Sequence, residues 1–359
     1  MSGTWCLVVP SIRGVSFRRF VKEWSDVGLF DDISGFILVE DNPTKTFDVD
    51  VSLFPSSLFF RHVSWEEIAG RLKTDQWIIP RRSDTVRSYG YYAAYTAEQT
   101  FDNILTLDDD CYPDSGAHSL LVAGHEHALY RRERWVSTLK QTRPRGLPYR
   151  DRGSLPTYVN HGLWTKVPDL DAINQLSAAP GTDHRDYPGE NVLVPAGTYF
   201  PMCGMNLAWR REATPLMYHM LMGSLVKPTE IAVSTDDLQR LDLDRFGDIW
   251  CGVVMKKICD HIGWPVSTGT PYISHDRASD PFVNLKKEAH GVGLNEQFWR
   301  MIHSVWLPPD SDHDVADLYA VVGRAVQQNG AARGADDPYR SYFIDLGRAM
   351  ELWAGLFRR

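Results

Sequence analysis

The sequence lacks the cysteine pattern of a disulfide-bonded protein. Its 359 residues include five cysteines, an odd number, and no two of them form a CxxC motif. Secreted proteins with a disulfide framework carry an even set of cysteines at recurring spacings. The cysteine content therefore favours a protein of the reducing cytoplasm.

Long apolar segments are also missing. No stretch approaches the roughly 20 consecutive apolar residues that a membrane helix needs, so we expect no membrane span. Near Met1 no basic segment precedes an apolar one, and a signal peptide is therefore not expected. Together with the cysteines, these absences predict a cytoplasmic protein.

Positive charge is in deficit, because the formal net charge is -8 at pH 7. Proteins that bind nucleic acid usually present a basic surface, so nucleic acid is not the expected partner. An anionic substrate stays open, since a bound cation supplies the missing charge. Two fingerprints are absent as well: no GxGxxG follows a predicted strand, and neither GxxxxGKS nor GxxxxGKT occurs. A dinucleotide site and a P-loop are therefore not indicated.

What is present is the patterning of a soluble α/β protein. Apolar residues form 43% and charged residues 23% of the chain, as is ordinary for globular proteins. Short apolar runs predict strands at residues 5–9, 35–39, 76–79, 104–107 and 271–275. Helices are predicted at residues 17–27, 85–99, 116–135 and 245–260, and in the C-terminal tail. Strand and helix alternate through the first third of the chain, which predicts a parallel nucleotide-binding sheet.

Three consecutive carboxylates, Asp108, Asp109 and Asp110, end the apolar run at 104–107. Ligands of open α/β sheets bind beyond the carboxyl ends of strands. A hard divalent cation bound there takes one or two carboxylates and shares its other positions with water and phosphate. The triplet therefore predicts a metal-diphosphate site of the DxD kind. The alternative is an acidic turn that is merely solvated.

Two other predicted strands run into loops at the same edge of the sheet. The first is followed by Pro10, Ser11 and Arg13, and the second by an acidic turn that contains Asp41. Because these loops adjoin the ligand end of the sheet, we expect them to hold the nucleoside.

Two predicted helix starts carry charged residues. Asp84 is a candidate N-cap, with Arg87 in the first turn that follows, and both are expected near the nucleoside. Asp248 lies near the start of a later helix and is a candidate functional residue. The alternative for Asp248 is a favourable interaction with the helix dipole, which alone would explain it.

A basic loop stands out in this acidic chain. Residues 141–156 contain Arg143, Arg145, Arg150 and Arg152. Arginine matches the geometry of phosphate oxygens, so the loop indicates contact with phosphate or sugar. The alternative is a run of solvated charges.

The strand predicted at 271–275 ends in His275, and Lys286 and Lys287 follow. His275 is a candidate second metal ligand, although a lone histidine is more often structural. The two lysines are candidates for the diphosphate, and the alternative for them is an exposed basic turn.

Several motifs match a known family. In chain order they are VPSIR at 9–13, LDDDC at 107–111, RGLPYRDR at 145–152, LPTYVNHGLW at 155–164, VPDLDA at 167–172, FPMCGMNLA at 200–208, LMG at 221–223, ICDH at 258–261 and PYISHDRASDPFVNLKKE at 271–288. With these motifs the chain resembles the reversibly glycosylated polypeptides, which include the flavin-independent UDP-arabinopyranose mutases of plants. The motifs occur in the same order as in the family, and FPMCGMNLA and HDRASDPFVNLKKE are highly specific.

The resemblance implies an α/β fold with a GT-A-like (Rossmann-like) mixed sheet flanked by helices and with C-terminal packing helices. We divide the chain into a nucleotide-sugar-binding catalytic domain at 1–295 and a helical extension at 296–359. The implied substrate is a nucleotide-diphosphate sugar, with UDP as the default and GDP open. The implied cofactor is Mn2+ or Mg2+, without flavin. Homo- and hetero-oligomers are both compatible with the sequence.

The resemblance also distributes roles among the candidate residues. It implies that Arg145 is the site of self-glycosylation and is needed for activity, with Arg152 as a second matching arginine. The expected catalytic residues are Arg145, Arg152, Asp248 and Asp109. The expected nucleotide-binding residues are Pro10, Ser11, Arg13, Asp41, Asp84, Arg87, Asp108, Lys286 and Lys287. The expected sugar-binding residues are His161, Trp164 and Asn206, and the expected metal ligands are Asp108, Asp110 and His275.

The chain departs from the family at three places. The loop after the second predicted strand matches only loosely, at Asp41, Asn42 and Pro43, and lies where the base would be held. Gly247 stands where the family usually has a second acidic residue, which makes an acid-base role for Asp248 less secure. The segment 227–245 is longer than in the plant proteins and is predicted as a surface insertion.

The predicted function is a metal-dependent mutase that interconverts the pyranose and furanose forms of a nucleotide sugar. One alternative is a glycosyltransferase that uses the same donor. The other is a non-catalytic subunit that binds a sugar nucleotide.

Overall fold

The computed structural model describes residues 3–116, 120–134, 146, 150, 153–177, 189–224, 242–243, 245–276, 279–309 and 314–358. The strands in these ranges are β1 (Trp5–Ser11), β2 (Gly35–Glu40), β3 (Phe59–Ser64), β4 (Asn103–Leu107), β5 (Cys111–Pro113), β6 (Val159–Lys166), β7 (Asn191–Val194), β8 (Asn206–Arg210), β9 (Gly223–Ser224), β10 (Asp242–Leu243) and β11 (Val266–His275). The helices are α1 (Gly14–Asp26), α2 (Leu29–Asp32), α3 (Trp65–Leu72), α4 (Val86–Tyr95), α5 (Leu121–Tyr130), α6 (Ala172–Ser177), α7 (Gly247–His261), α8 (Pro281–Ser304), α9 (Val315–Ala332) and α10 (Arg340–Gly355).

The large sheet is mixed, with the strand order β3-β2-β1-β4-β8-β6-β11-β5, and β7 also pairs with β11. Strands β1 to β4 are mutually parallel, whereas β8 runs antiparallel to both β4 and β6. Strand β11 is parallel to β6 and antiparallel to β5. Consequently β1, β2, β4, β6 and β11 end at one edge of the sheet, where β5 and β8 begin. This edge is the expected place for a ligand.

Strand β1 lies in the middle of the core because both of its faces are covered. Cys6 and Val8 face one apolar cluster, and Leu7 and Val9 face the other. Helix α4 packs closely on the first face, since a Cβ at Gly90 would stand only 2.4 Å from Val8 Cγ1. Glycine is therefore required at this helix-sheet contact.

Helix α1 covers the opposite face of the sheet. Its buried residues Phe17, Phe20, Val21 and Trp24 follow the spacing of one helical face. The predicted helix at 17–27 is therefore confirmed.

The C-terminal helices pack as predicted from their apolar faces. Helices α9 and α10 meet through glycines, since a Cβ at Gly347 would lie 2.4 Å from the carbonyl oxygen of Gly323. Trp353 Nε1 donates to the carbonyl of Pro215 at 2.9 Å, which anchors α10 on the main body. The boundary proposed between residues 295 and 296 falls within α8, so the two-domain division stays a prediction.

The fold class is confirmed as α/β: a mixed sheet is flanked by helices, and further helices pack on it at the C-terminal end. Among the described residues, no helix has both the length and the apolar character needed to cross a membrane.

The prediction of a third strand at 76–79 is wrong. Residues 73–78 form a 3-10 helix, and β3 takes the third parallel position instead. Strand β3 lies at the edge of the sheet, and of its residues only Val63 and Ser64 are buried. An edge strand of this kind has no continuous apolar run, which is why the pattern missed it.

Several predicted boundaries also shift. Helix α4 ends at Tyr95 rather than near residue 99, and α5 is shorter than the predicted 116–135. Strand β11 begins at Val266, five residues before the predicted strand. Most of the segment 227–245 lies outside the described residues.

Candidate active site

The acidic triplet lies at the ligand edge of the sheet. Asp108, Asp109 and Asp110 link the end of β4 to the start of β5, and β5 pairs Cys111 with His275 at the end of β11. Antiparallel pairing of β5 with β11 thus brings the triplet and His275 to the same edge. This agrees with their predicted placement, although their roles stay predictions.

Asp109 anchors the loop that follows β1. Its buried carboxylate accepts hydrogen bonds from Ser11 Oγ at 2.5 Å and from Arg13 Nε at 3.1 Å, and it forms an ion pair with Arg13 Nη2. Both carboxylate oxygens of Asp109 are therefore engaged by protein donors. These contacts favour a structural role, and they do not support the predicted catalytic one.

Arg13 and Arg87 compensate the outer two carboxylates. Arg13 Nη2 lies 3.0 Å from Asp110 Oδ2, and Arg87 Nη2 lies 2.6 Å from Asp108 Oδ1. Burial raises the pKa of Asp108 to about 6 against the pull of Arg87, and the neighbouring charge of Asp110 adds to the rise. The outer carboxylates are thus held close to positive charge at the mouth of the site.

Arg87 is buried at this edge of the sheet and contacts three other residues there. Besides Asp108, it contacts Asp84 Oδ1 through Nε at 2.5 Å and donates through Nη1 to the carbonyl of Gly204 at 2.6 Å. Burial lowers the pKa of Arg87, but Asp108 and Asp84 outweigh this effect and raise it well above its ordinary value. Asp84 in turn accepts from His219 Nδ1 at 2.5 Å. Asp84 is therefore committed to Arg87 and His219, rather than free for the nucleoside as predicted.

His275 is oriented as a metal ligand would be. Its Nδ1 lies 2.9 Å from the carbonyl oxygen of Val167, so Nδ1 carries the proton and Nε2 is left to coordinate. Hard carboxylate oxygens such as those of Asp108 and Asp110 suit Mn2+ or Mg2+. The donor chemistry therefore fits a divalent cation.

A different set of side chains forms the tightest group of ligand atoms. Among the described residues, the three-residue group whose ligand atoms all lie within 4.8 Å of one another is Asp169, Cys203 and Asp248. Cys203 Sγ donates to Asp169 Oδ2 at 2.7 Å, and the backbone N–H of Gly204 donates to Asp248 Oδ2 at 3.2 Å. The two carboxyl groups therefore flank the turn at Cys203 and Gly204.

The carboxyl group of Asp248 favours its protonated form. Burial raises its pKa well above the ordinary value, and the nearby carboxylates of Asp84 and Asp169 raise it further. Burial likewise raises the pKa of the Cys203 thiol, which stays protonated. Asp248 therefore keeps its proton to a higher pH than an ordinary aspartate, which suits it to act as a general acid.

The departure at Gly247 has a steric cause. A Cβ at this position would stand 2.6 Å from the carbonyl oxygen of His219 and 3.2 Å from Asp84 Oδ2. An acidic side chain would clash there and would face a like charge. Asp248 is therefore the acidic residue that this chain can place at the start of α7.

The predicted sugar-binding residues divide into two kinds. His161 Nε2 accepts from the backbone N–H of Cys203 at 3.3 Å, and burial lowers the pKa of His161 to about 4, so its ring is neutral. The ring of Trp164 lies across that of His161 with a centroid distance of 5.8 Å. Both residues thus adjoin the turn at Cys203.

Asn206 belongs instead to the core. Its Oδ1 accepts from His125 Nε2 at 2.9 Å, and its Nδ2 donates to the carbonyls of Leu163 and Pro271, each at 3.0 Å. The side chain is fully buried. The predicted contact with sugar is not supported, because these bonds commit its amide to the sheet.

The loops after β1 and β2 are joined at the predicted nucleoside position. The backbone N–H of Asp41 donates to the carbonyl of Ser11 at 3.0 Å, and Asp41 Oδ2 accepts from the backbone N–H of Arg82 at 2.5 Å. Burial raises the pKa of Asp41. Its Oδ1 accepts no hydrogen bond from the described residues, although Arg81 Nε lies 3.7 Å away. Pro10 lies within β1, half-buried beside this junction.

The predicted basic residues are less well placed. Lys286 and Lys287 lie on α8 rather than in a turn, and both side chains are exposed. Their predicted contact with the diphosphate has no support in the described contacts. Arg145 and Arg152 lie outside the described residues, so their roles stay predictions.

Sequence reasoning overlooked Asp169 and Glu40. Asp169 stands in the matched VPDLDA motif, and its nearness to Cys203 is the signal that only the fold provides. Glu40 is fully buried and accepts from the backbone N–H groups of Thr46 and Phe47, while His62 Nε2 lies 2.7 Å from its Oε2. It thereby shapes the loop after β2.

Comparisons with known proteins agree with the motifs. A family model described as reversibly glycosylated polypeptide matches residues 4–359. UDP-arabinopyranose mutase 3 of Arabidopsis thaliana is 33% identical over 97% of this chain and 89% of its own length. UDP-arabinopyranose mutase 1 of Oryza sativa subsp. japonica is 32% identical over 97% of this chain and 88% of its own length. A solved structure of glucosyl-3-phosphoglycerate synthase from Mycobacterium tuberculosis, in complex with Mn2+, UDP-glucose and phosphoglyceric acid, covers 86% of this chain and 82% of its own, with 13% identity and a TM-score of 0.41.

Proposed function

Because this chain belongs to the reversibly glycosylated polypeptide family, we propose that it is a nucleotide-sugar mutase. The proposed reaction interconverts the pyranose and furanose forms of a UDP-linked sugar. Two relatives carry the name UDP-arabinopyranose mutase, which supports both the reaction and the preference for UDP over GDP. The observation that carries the proposal is the acidic edge of the sheet, where Asp108 pairs with Arg87 and where strand pairing places His275 opposite Cys111, the residue after Asp110.

The nucleotide is assigned to the loops after β1 and β2. Asp41 Oδ1, which is buried without a hydrogen-bond donor among the described residues, offers an acceptor to an N–H group of the base. Arg13 is one-third exposed and already faces the carboxylates at the mouth of the site. Its guanidinium is therefore suited to the oxygens of the diphosphate.

A divalent cation, Mn2+ or Mg2+, is assigned to Asp108, Asp110 and His275. The orientation of His275 by the carbonyl of Val167 supports this assignment. When bound, such a cation acts as a Lewis acid that stabilises negative charge on the diphosphate.

The reaction needs two exchanges at the sugar. The bond from the anomeric carbon to the diphosphate breaks, O4 replaces O5 as the ring oxygen, and the bond to the same diphosphate forms again. During ring exchange O4 loses a proton and O5 gains one. A protonated Asp248 is suited to supply the proton to O5 and, as the resulting carboxylate, to accept the proton from O4. Arg87 and Arg13 stabilise the released diphosphate, which keeps water from taking its place.

Arg145 is assigned an electrostatic role. A guanidinium is protonated at ordinary pH and has no free lone pair for attack on the anomeric carbon. Glycosylation of Arg145, which the family resemblance implies, is then a side reaction rather than a step of the cycle. Arg152 is assigned an electrostatic role on the diphosphate.

The proposal is tested with a panel of UDP- and GDP-linked hexoses and pentoses, incubated with the protein and Mn2+. A mutase yields a product of equal mass with a furanose ring and conserves the sugar nucleotide. Free nucleoside diphosphate in proportion to a glycosylated acceptor would instead identify a transferase. Binding without any product would identify a non-catalytic subunit.

A further inference from the structure

Helix α8 presents a polar stripe to the interior. The matched stretch at its start was expected to act through Lys286 and Lys287, but those side chains face solvent. The buried members are Asn284 and Glu288, four residues apart on one helical face. Glu288 is only 1% exposed. The informative residue of this motif is therefore an acid inside the protein.

The carboxylate of Glu288 joins two other segments. Its Oε2 accepts from the backbone N–H of Ala172 at 2.7 Å, and its Oε1 accepts from Arg245 Nε at 2.7 Å. Burial of a carboxylate requires this kind of pairing, and both oxygens receive it. One turn further along α8, a Cβ at Gly291 would stand 2.2 Å from the ring of Phe246, so the helix lies directly against the start of α7.

Each of these segments carries one carboxyl group of the candidate site. Ala172 begins α6, three residues after Asp169, and Arg245 stands three residues before Asp248. Asp169 accepts a hydrogen bond from the thiol of Cys203, and Asp248 accepts one from the backbone N–H of Gly204. Glu288 thus links the two segments that hold these carboxyl groups.

We propose that Glu288 is a positioning residue that fixes the spacing of Asp169 and Asp248 across the turn at Cys203 and Gly204. Its catalytic consequence rests on the proposed mutase function. The carboxylate of Glu288 contacts Ala172 and Arg245 and contributes through them. Truncation of its side chain removes the carboxylate that joins the N–H of Ala172 to Arg245 and so releases the two flanks of the turn.

The test compares Glu288→Ala and Glu288→Gln with Glu296→Gln. The Gln variant at residue 288 retains an oxygen for the N–H of Ala172 but loses the charge that pairs with Arg245. Glu296 lies on the same helix, and its ion pair with Arg300 is 82% exposed on both sides, so its substitution is a matched surface control. The kinetic readouts are kcat and KM with the UDP sugar turned over by the wild type.

A second readout does not depend on the reaction. Cys203 is 8% exposed, whereas Cys6, Cys111, Cys251 and Cys259 are fully buried. The rate of alkylation of Cys203, measured by mass spectrometry, therefore reports how firmly the turn is held, and the four other cysteines report global unfolding. A thermal unfolding scan of each variant completes the set.

In Glu288→Ala we expect kcat to fall by about tenfold to a hundredfold with a smaller change in KM, because misplacement by about 1 Å has this effect. Alkylation of Cys203 alone should become several-fold faster, Glu288→Gln should lie between the Ala variant and the wild type, and the control should match the wild type.

Unchanged kcat and unchanged Cys203 alkylation in Glu288→Ala would overturn the proposal. So would faster alkylation of all five cysteines together, since this indicates only a loss of stability. If no protein, including the wild type, forms an isomer while Cys203 alone becomes reactive in Glu288→Ala, the positioning role stands and the mutase function fails.

Discussion

Replacement of Arg87 by methionine should destabilise the protein strongly, because Arg87 is the buried hub of the site. Its guanidinium contacts Asp84, Asp108 and the carbonyl of Gly204. Methionine fills similar space but removes the charge. The carboxylate of Asp84 is then paired only with His219, whose ring is neutral because burial lowers its pKa. The loss therefore leaves two partly buried carboxylates, 19% and 26% exposed, without their cation, rather than merely removing an attraction.

The magnitude follows from this burial. Breaking a buried ion pair by removal of one partner costs about 3–5 kcal/mol. The entropy of unfolding is roughly 2.1 cal/mol/K per residue, which over 359 residues gives about 0.75 kcal/mol/K. We therefore expect the Tm of Arg87→Met to lie about 4–7 °C below that of the wild type.

Differential scanning calorimetry measures this difference, and its pH dependence provides a second check. Burial raises the pKa of Asp84, but Arg87 and His219 outweigh burial and hold it below its ordinary value. The contribution of the pair is thus fully present above the unfolded pKa of about 3.9 and is lost as the pH falls further. The difference in Tm between wild type and variant should narrow on acidification.

Two variants sharpen the interpretation. Arg300→Met removes an exposed ion pair on α8 and should change Tm by about 1 °C at most. Adding Asp84→Asn to Arg87→Met removes the stranded carboxylate and should recover part of the loss. A Tm of Arg87→Met within about 1 °C of the wild type, or no recovery in the double variant, would refute the reasoning.

Three further substitutions probe individual residues. Asp248→Asn keeps an acceptor for the N–H of Gly204 but cannot transfer a proton, so kcat should fall by about 10²–10⁴. Because the pKa of Asp248 is raised, wild-type turnover should decline as the pH rises through that pKa, and steady-state pH profiles check both statements. Arg145→Lys should retain measurable turnover in the same assay, and a complete loss would favour a covalent arginine intermediate. Asn206→Ala should cost about 1–3 kcal/mol for each stranded partner without raising KM, as thermal scans and kinetics would show; a raised KM at full stability would restore the sugar-binding role.

The acidic edge was predictable because its signals are local. An apolar run that ends in Asp108–Asp110 predicts both a strand and a ligand site within a few consecutive residues. The same holds for α1 and the tail helices, whose apolar spacing is read directly from the chain. The family resemblance rests on similarly contiguous motifs.

The features that escaped prediction depend on neighbours remote in sequence. Edge strand β3 shows no continuous apolar run, because it pairs with β2 alone and most of its residues are only partly buried. Asn206 has the side chain of a sugar-binding residue, and only the fold reveals that His125 and two carbonyls already engage it. Glu288 was passed over in favour of the adjacent lysines, since the sequence does not tell which face of α8 is buried.

The central claim is that the acidic edge catalyses a mass-conserving ring exchange. The most direct test follows a UDP sugar from the panel by 1H and 31P NMR, with Mn2+ present, for the wild type and Asp110→Ala. The account predicts that the wild type forms furanose signals while the total of UDP-linked sugar stays constant, and that Asp110→Ala forms none. Furanose formation by Asp110→Ala at the wild-type rate, or release of free UDP without any furanose in the wild type, would contradict it.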